Sequence, residues 1–218
     1  MSKICLSVIL EQDRPMEIIE KVLKKKPDLV EFRLDSLQDS SLLKTIAKNK
    51  FCPIIATDMS HRDPLDSEKM LLNAAEMGFD FVDVDLAHPF VDKIVRQSKA
   101  SGAEIIISHH DFAGTPTKDT LMRILHSQLD AGSDICKIVT SATNTDDNLT
   151  ILAFVNEASH DARVVSFAMG KLGVPSRVIS PIFGAEFTFA AMNEESRTAA
   201  GQLSIDDLRR VWRLLDIA

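Results

Sequence analysis

Leu29-Val30-Glu31-Phe32-Arg33-Leu34-Asp35 alternates without a break. A period of two is the signature of a strand whose faces meet different surroundings. Val30, Phe32 and Leu34 require apolar cover, so Glu31, Arg33 and Asp35 face the other way. Phe81-Val82-Asp83-Val84-Asp85-Leu86 repeats the pattern and puts Asp83 and Asp85 on the charged side. Around these two stretches runs a rhythm. β-Branched runs begin near residues 4, 29, 53, 80, 104, 134, 163 and 178, at intervals of 24 to 30 residues until the last, which is about 15. Helix-like stretches lie between them, near residues 15–26, 40–49, 67–77, 89–101, 117–131 and 145–159, with a last one near 204–215. Pro15, Pro64, Pro89 and Pro116 stand at or just before helix starts, where a missing N–H costs little. Gly78, Gly102 and Gly132 follow helices, as left-handed caps do.

Strands alternating with helices imply an α/β fold with a parallel sheet. Eight units in 218 residues fit a (β/α)8 TIM barrel, a single domain over residues 1–218. A doubly wound open sheet is the rival architecture. The closeness of the runs at 163 and 178 makes the seventh helix short or irregular. In a barrel, the charged parity of the two stretches points inward, near the strands' C-terminal ends. Unpaired buried charge is expensive; one such strand alone fits an ion-paired layer equally well, but two, each charged toward its C-terminal end, point to an active-site mouth.

Acidic residues number 32 and basic ones 25, for a net charge of −7. That balance disfavours nucleic acid and anionic membrane surfaces as partners. With 45% apolar and 26% charged residues the chain has ordinary globular composition, and no apolar run approaches membrane-spanning length. Met1-Ser2-Lys3-Ile4 lacks the layout of a signal peptide. The three cysteines, Cys5, Cys52 and Cys136, are far apart and sit in or beside apolar runs. Reduced thiols in a cytoplasmic protein are the expectation.

Two further runs carry reactive groups. Ile105-Ile106-Ile107-Ser108-His109-His110-Asp111 ends in paired histidines, and Ile135-Cys136-Lys137-Ile138-Val139-Thr140 holds a lysine within an apolar strand. Desolvation would lower that amine toward neutrality, the form a Schiff-base enzyme needs; a snorkelling or ion-paired lysine is the alternative. Adjacent histidines on a strand point in opposite directions. The chain has no His-x-His pair and no thiolate cluster. No metal is therefore expected.

In order and spacing these motifs resemble the type I 3-dehydroquinate dehydratases nearly end to end. The resemblance rests on Ile4-Cys5-Leu6-Ser7, Glu31-Phe32-Arg33-Leu34-Asp35, Ser108-His109-His110-Asp111-Phe112, Asp134-Ile135-Cys136-Lys137-Ile138 and Met169 through Arg177. Phe183-Gly184-Ala185 with Thr188-Phe189, matching strand 8, and Ala200-Gly201-Gln202 in the lid after it complete the match. It implies a lyase of the shikimate pathway of aromatic amino acid biosynthesis that converts 3-dehydroquinate to 3-dehydroshikimate. Lys137 would form the imine and His110 would serve as general acid and base. Arg177 would bind the substrate carboxylate, Thr198 and Gln202 would reach it from the lid, and Ser7, Glu31 and Arg33 would address the ring. No cofactor is implied, and a homodimer is.

Two departures stand out. Met59 falls where the family carries an arginine, with Arg62 as a candidate to fill that space, and Asp63 falls where it carries a glutamate, so the resemblance gives Asp63, one methylene shorter, the contact with the histidine. In the lid, Thr198-Ala199-Ala200-Gly201-Gln202 keeps the hydroxyl and loses a proline. Two other readings share the residues. One is a Schiff-base aldolase on the same barrel, for which Gly170, Gly173 and Gly184 would be a thin phosphate cradle. The other is a barrel that binds a ring carboxylate without turning it over.

Overall fold

The computed structural model describes residues 2–10, 15–37, 40–60 and 62–217. The strands are β1 (Ile4–Ile9), β2 (Leu29–Arg33), β3 (Ile54–Thr57), β4 (Phe81–Asp85), β5 (Glu104–Asp111), β6 (Ile135–Ser141), β7 (Val164–Met169) and β8 (Thr188–Ala191). The helices are α1 (Pro15–Lys25), α2 (Ser41–Lys48), α3 (Pro64–Met77), α4 (Val91–Ala100), α5 (Lys118–Asp130), α6 (Asp147–Ala158), α7 (Val174–Ile179) and α8 (Ile205–Leu214). The strands pair in parallel in the order β7-β6-β5-β4-β3-β2-β1-β8. This is a single (β/α)8 barrel: β1 to β7 follow one another in sequence order, β8 returns to the free side of β1, and the two end strands, β7 and β8, meet across a seam instead of lying at opposite edges of an open sheet. Between β7 and β8 the described residues form no ladder. The Glu186 N–H donates to Val164 O at 2.8 Å below that seam, and the Phe167 and Phe189 rings meet across it at 6.0 Å.

Strand parity sorts the core. Val30, Phe32, Val82, Val84, Ile105 and Ile107 pack outward against helices. Leu29, Ile55, Phe81, Ile106, Ile135 and Val165 fill the barrel's lower interior. Above that plug the inward positions turn polar: Ser7, Glu31, Thr57, Asp83, Ser108 and Lys137 are all buried. The polar tier lies between this apolar plug and a cavity at the C-terminal ends of the strands.

One device repeats at the opposite end. Asp28, Asp80 and Asp134 each precede a strand. Their carboxylates accept the N–H of Ile4 at 2.8 Å, Ile54 at 2.9 Å and Ile105 at 2.8 Å, and their own N–H groups donate back to the same residues' carbonyls. Each two-way clamp satisfies a donor at the start of the preceding strand, the first residue of β1 and β3 and the second of β5. Lys50 and Lys99 neutralise two of the three clamps.

The run at Val178 is not a strand. Val178 and Ile179 belong to the short helix α7, and the eighth strand is Thr188–Ala191, as the resemblance implied. Tertiary contacts override the β-branched pair. Pro175 occupies the first turn of α7. The Ala168 N–H donates to Ser176 Oγ at 3.0 Å, and the Ser176 N–H to Asn148 Oδ1 at 2.9 Å, which pins α7 under the end of β7. The other expected helices fall within a few residues of their expected limits, and Gly78, Gly102 and Gly132 take positive φ. All three cysteines are free, Cys5 and Cys136 buried.

Candidate active site

A cavity of about 330 Å³ opens at the C-terminal end of the barrel, lined by Lys137, His110, Arg177, Arg33, Met59 and Gln202 among others. All eight residues expected in the site border it: Ser7, Glu31, Arg33, His110, Lys137, Arg177, Thr198 and Gln202.

Lys137 stands at the bottom, 5% exposed. Its Nζ lies 2.7 Å from Asp83 Oδ2 and 3.5 Å from Glu31 Oε1, and 4.6 Å above the centre of the Phe189 ring. Here the expectation of a neutral amine fails. Burial by itself would lower Lys137, but the charges of Asp83 and Glu31 outweigh it and hold the amine above its ordinary value of 10.5. In the ligand-free protein Lys137 is an ammonium ion with two counter-ions. The aliphatic run around it signalled the burial and not the carboxylates that come with it.

Glu31 is the hub of this layer. Its Oε1 accepts from Thr57 Oγ1 at 3.0 Å, and its Oε2 accepts from the Ser7 hydroxyl. Ser7 Oγ lies 3.2 Å from Thr198 Oγ1, which lies 3.1 Å from Gln202 Oε1. A hydrogen-bonded line therefore runs from the lid to the amine. The lid is latched from its other side, where the Gly170 N–H donates to Ala200 O at 3.1 Å. Gly201 has φ +77°, and a Cβ there would lie 2.3 Å from Gly170 O, so only glycine permits this approach.

His110 sits on the adjacent strand, two residues nearer the mouth than Lys137, because Ser108 is the register partner of Lys137. Its ring stacks on Phe112 with centroids 6.0 Å apart. Arg33 is held by Asp35, its Nε 3.3 Å from Asp35 Oδ1.

Arg177 reaches the cavity from α7 instead of from a strand end. It is 2% exposed, and its Nε and Nη2 have no hydrogen-bond partner among the described residues. Its guanidinium lies 4.0 Å over the Phe167 ring. Burial lowers it to about 10. A buried, charged, unsatisfied fork facing a cavity is a receptor waiting for an anion, and its planar donors suit a carboxylate.

The departure after the third strand resolves against both expected substitutes, Arg62 and Asp63. Met59 lines the cavity. Arg62 turns away, with Nε 3.1 Å from Asp58 Oδ2 and Nη2 donating to Leu34 O at 2.9 Å; fixed by its own loop, it does not replace the missing arginine. Asp63 caps α3, accepting the Leu65 N–H at 2.8 Å. It is a helix cap and not a partner of the histidine. Sequence reasoning placed Asp83 and Asp85 inward without giving them roles; the lysine partner proves to be Asp83. It missed the aromatic floor of Phe167 and Phe189, which the inward parity of β7 and β8 could have revealed. His109 is partly exposed; His61 lies outside the described residues. No group of three or more metal-ligating side chains occurs among the described residues.

The model of the family described as Type I 3-dehydroquinase matches residues 4–218. The chain belongs to this family. It is similar to the 3-dehydroquinate dehydratase of Methanosarcina barkeri, with 33% identity over 97% of this chain and 94% of that protein. Its similarity to the one of Methanocaldococcus jannaschii is 34% identity over 98% and 99%. Among solved structures, 3-dehydroquinate dehydratase from Geobacillus kaustophilus superposes with TM-score 0.90 at 27% identity, covering 100% of this chain and 92% of that one. The type I enzyme from Clostridium difficile with covalent modified comenic acid gives TM-score 0.85 at 25% identity, covering 98% and 92%. As a type I 3-dehydroquinase this chain is a hydro-lyase of the shikimate pathway, and its reaction is the dehydration of 3-dehydroquinate.

Proposed function

We propose that this dehydration runs through a Schiff base on Lys137, with His110 moving the protons and Arg177 holding the substrate carboxylate. One observation carries the reading: a buried amine, an imidazole and a buried unpaired guanidinium border the same cavity. A ketone acidifies its α-proton weakly, and an iminium does so more strongly. Lys137 begins as an ammonium ion, so iminium and water form from it and the ketone with no net change in protons. Attack requires one proton to be lent, and Asp83 Oδ2 at 2.7 Å is the acceptor in place. That proton returns to the carbinolamine oxygen as it leaves as water. Asp83 and Glu31 then face the iminium as they faced the ammonium.

His110 takes the α-proton and returns it to the β-hydroxyl as that departs, giving the conjugated product. Water then hydrolyses the iminium, freeing the ketone and restoring the Lys137 ammonium ion. Arg177 fixes the ring at its carboxylate, Glu31, Arg33 and Ser7 meet the ring side, and Thr198 and Gln202 close over it and exclude water. That a covalently modified ligand was found in the Clostridium difficile type I enzyme supports a covalent route in this barrel. We further read the protein as a cytoplasmic homodimer. Free thiols support the compartment. Among the described residues no helix is long and apolar enough to cross a membrane. On α8, Trp212 is core, donating to Val178 O at 2.8 Å. Leu214 and the following Leu215 are exposed, and these are the apolar residues a second copy could cover; sedimentation tests it.

The deciding assay follows enone absorbance from 3-dehydroquinate in wild type and Lys137→Ala. Turnover by wild type alone supports the reading. Turnover by both removes Lys137 from the chemistry, and binding without turnover by wild type would make the protein a non-catalytic ring-carboxylate binder.

A further inference from the structure

We infer that Asp85, at the end of β4, is the positioning carboxylate of His110, the task the resemblance would have given to Asp63. The inference rests on the reading of His110 as general base. His110 Nδ1 is shielded from solvent and has no hydrogen-bond partner among the described residues. The carboxylate oxygen facing it is Asp85 Oδ2, 3.8 Å away.

Register explains the meeting. Asp85 is the partner of Ser108 across the β4–β5 ladder. His110 is the next residue of the same parity on β5, so the two side chains are diagonal neighbours on the inner face. Asp85 is also held from behind. Its Oδ1 accepts the Ala87 N–H at 2.8 Å, in the turn that ends the strand. One oxygen is thereby committed to the backbone and the other is aimed at the imidazole. Burial alone would raise the Asp85 carboxyl, but His110 and the Ala87 amide outweigh it and hold it below its ordinary value. Asp63 is engaged as the cap of α3.

A free imidazole carries its proton on either nitrogen, and only one tautomer leaves the cavity-facing nitrogen free to accept. A carboxylate at Nδ1 selects the tautomer protonated there, so Nε2 is the basic atom. When His110 takes the substrate's α-proton, the imidazolium gains an adjacent counter-ion. The separation of 3.8 Å is about 1 Å longer than a hydrogen bond, and catalytic contacts of this kind shorten when the ligand closes the site.

The test compares Asp85→Asn, Asp85→Glu, Asp63→Asn and His110→Ala. Asparagine keeps the acceptor for Ala87 and also caps helices well, so both asparagine variants should fold. Three readouts are taken: steady-state turnover, borohydride trapping with substrate, and the ¹⁵N signals of the His110 ring, assigned by their loss in His110→Ala. Asp85→Asn is expected to lower kcat about 10–100-fold, with KM within about twofold and imine trapping retained. The ring signals should shift away from the Nδ1-protonated form. Asp85→Glu should recover part of kcat, and Asp63→Asn should match wild type. Wild-type kcat and ring signals in Asp85→Asn, or the loss appearing in Asp63→Asn instead, overturn the assignment while leaving His110 as base. Near-normal turnover by His110→Ala overturns the role of the histidine itself, and this inference with it.

Discussion

Replacing Arg177 by methionine should make the ligand-free protein more stable and the enzyme much worse. Burial lowers the guanidinium from its ordinary value to about 10. At about 1.4 kcal/mol per tenfold change, the empty fold forgoes ~3 kcal/mol to keep this cation charged. The side chain is 2% exposed, so solvent screening does not soften that figure. Against it stands the contact over Phe167 at 4.0 Å, worth ~2 kcal/mol when desolvated. Methionine is unbranched and fills much of the same path. The net gain is then ~1 kcal/mol, or a Tm rise of about 2–4 °C for a chain of this size. The same change removes the partner of the substrate carboxylate. Truncating one side of a buried charge pair costs ~2–5 kcal/mol, so kcat/KM should fall by roughly two to three orders of magnitude. Calorimetry of both proteins, with and without 3-dehydroshikimate, reads the two effects together. Wild type should gain Tm with ligand and the variant should not. A variant that is less stable when empty, with kcat/KM within about threefold of wild type, would show that Arg177 is a structural pillar over Phe167 and refute the argument.

Asp80→Ala removes the clamp on Ile54 and the partner of Lys50; it should cost ~1–3 kcal/mol in chemical denaturation and leave kcat unchanged, since it lies at the far end of the barrel. Gly201→Ala places a Cβ 2.3 Å from Gly170 O at a φ of +77°, which breaks the latch from Gly170 to Ala200. It should lower kcat/KM by about tenfold or more with little change in Tm, as steady-state kinetics and calorimetry will show.

The alternation in Leu29 through Asp35 and its repeat in Phe81 through Asp85 carried most of what was legible beforehand, because parity in a strand is rigid. It distinguishes inner from outer faces and so predicts which polar residues share a cavity. The eighth unit was not legible from pattern. Val178-Ile179 is a β-branched pair like those that open true strands, and the contacts of Ser176 with Ala168 on β7 and Asn148 on α6, which pin it as a helix, come from outside the run. The charge state of Lys137 was missed for a related reason. An apolar strand reports its own side chains, whereas the ionisation of Lys137 is set by β2 and β4, which bring Glu31 and Asp83 to it from 106 and 54 residues away. Asp63 misled because correspondence along the chain does not fix direction. With Pro64 opening α3, its carboxylate is drawn to the Leu65 amide.

Reduction with borohydride in the presence of 3-dehydroquinate, followed by peptide mapping, addresses the amine directly. The account predicts one covalent ligand per chain on the peptide holding Lys137, and none in Lys137→Ala. An unmodified wild-type chain, or ligand mass on Lys171 at the rim, would contradict it.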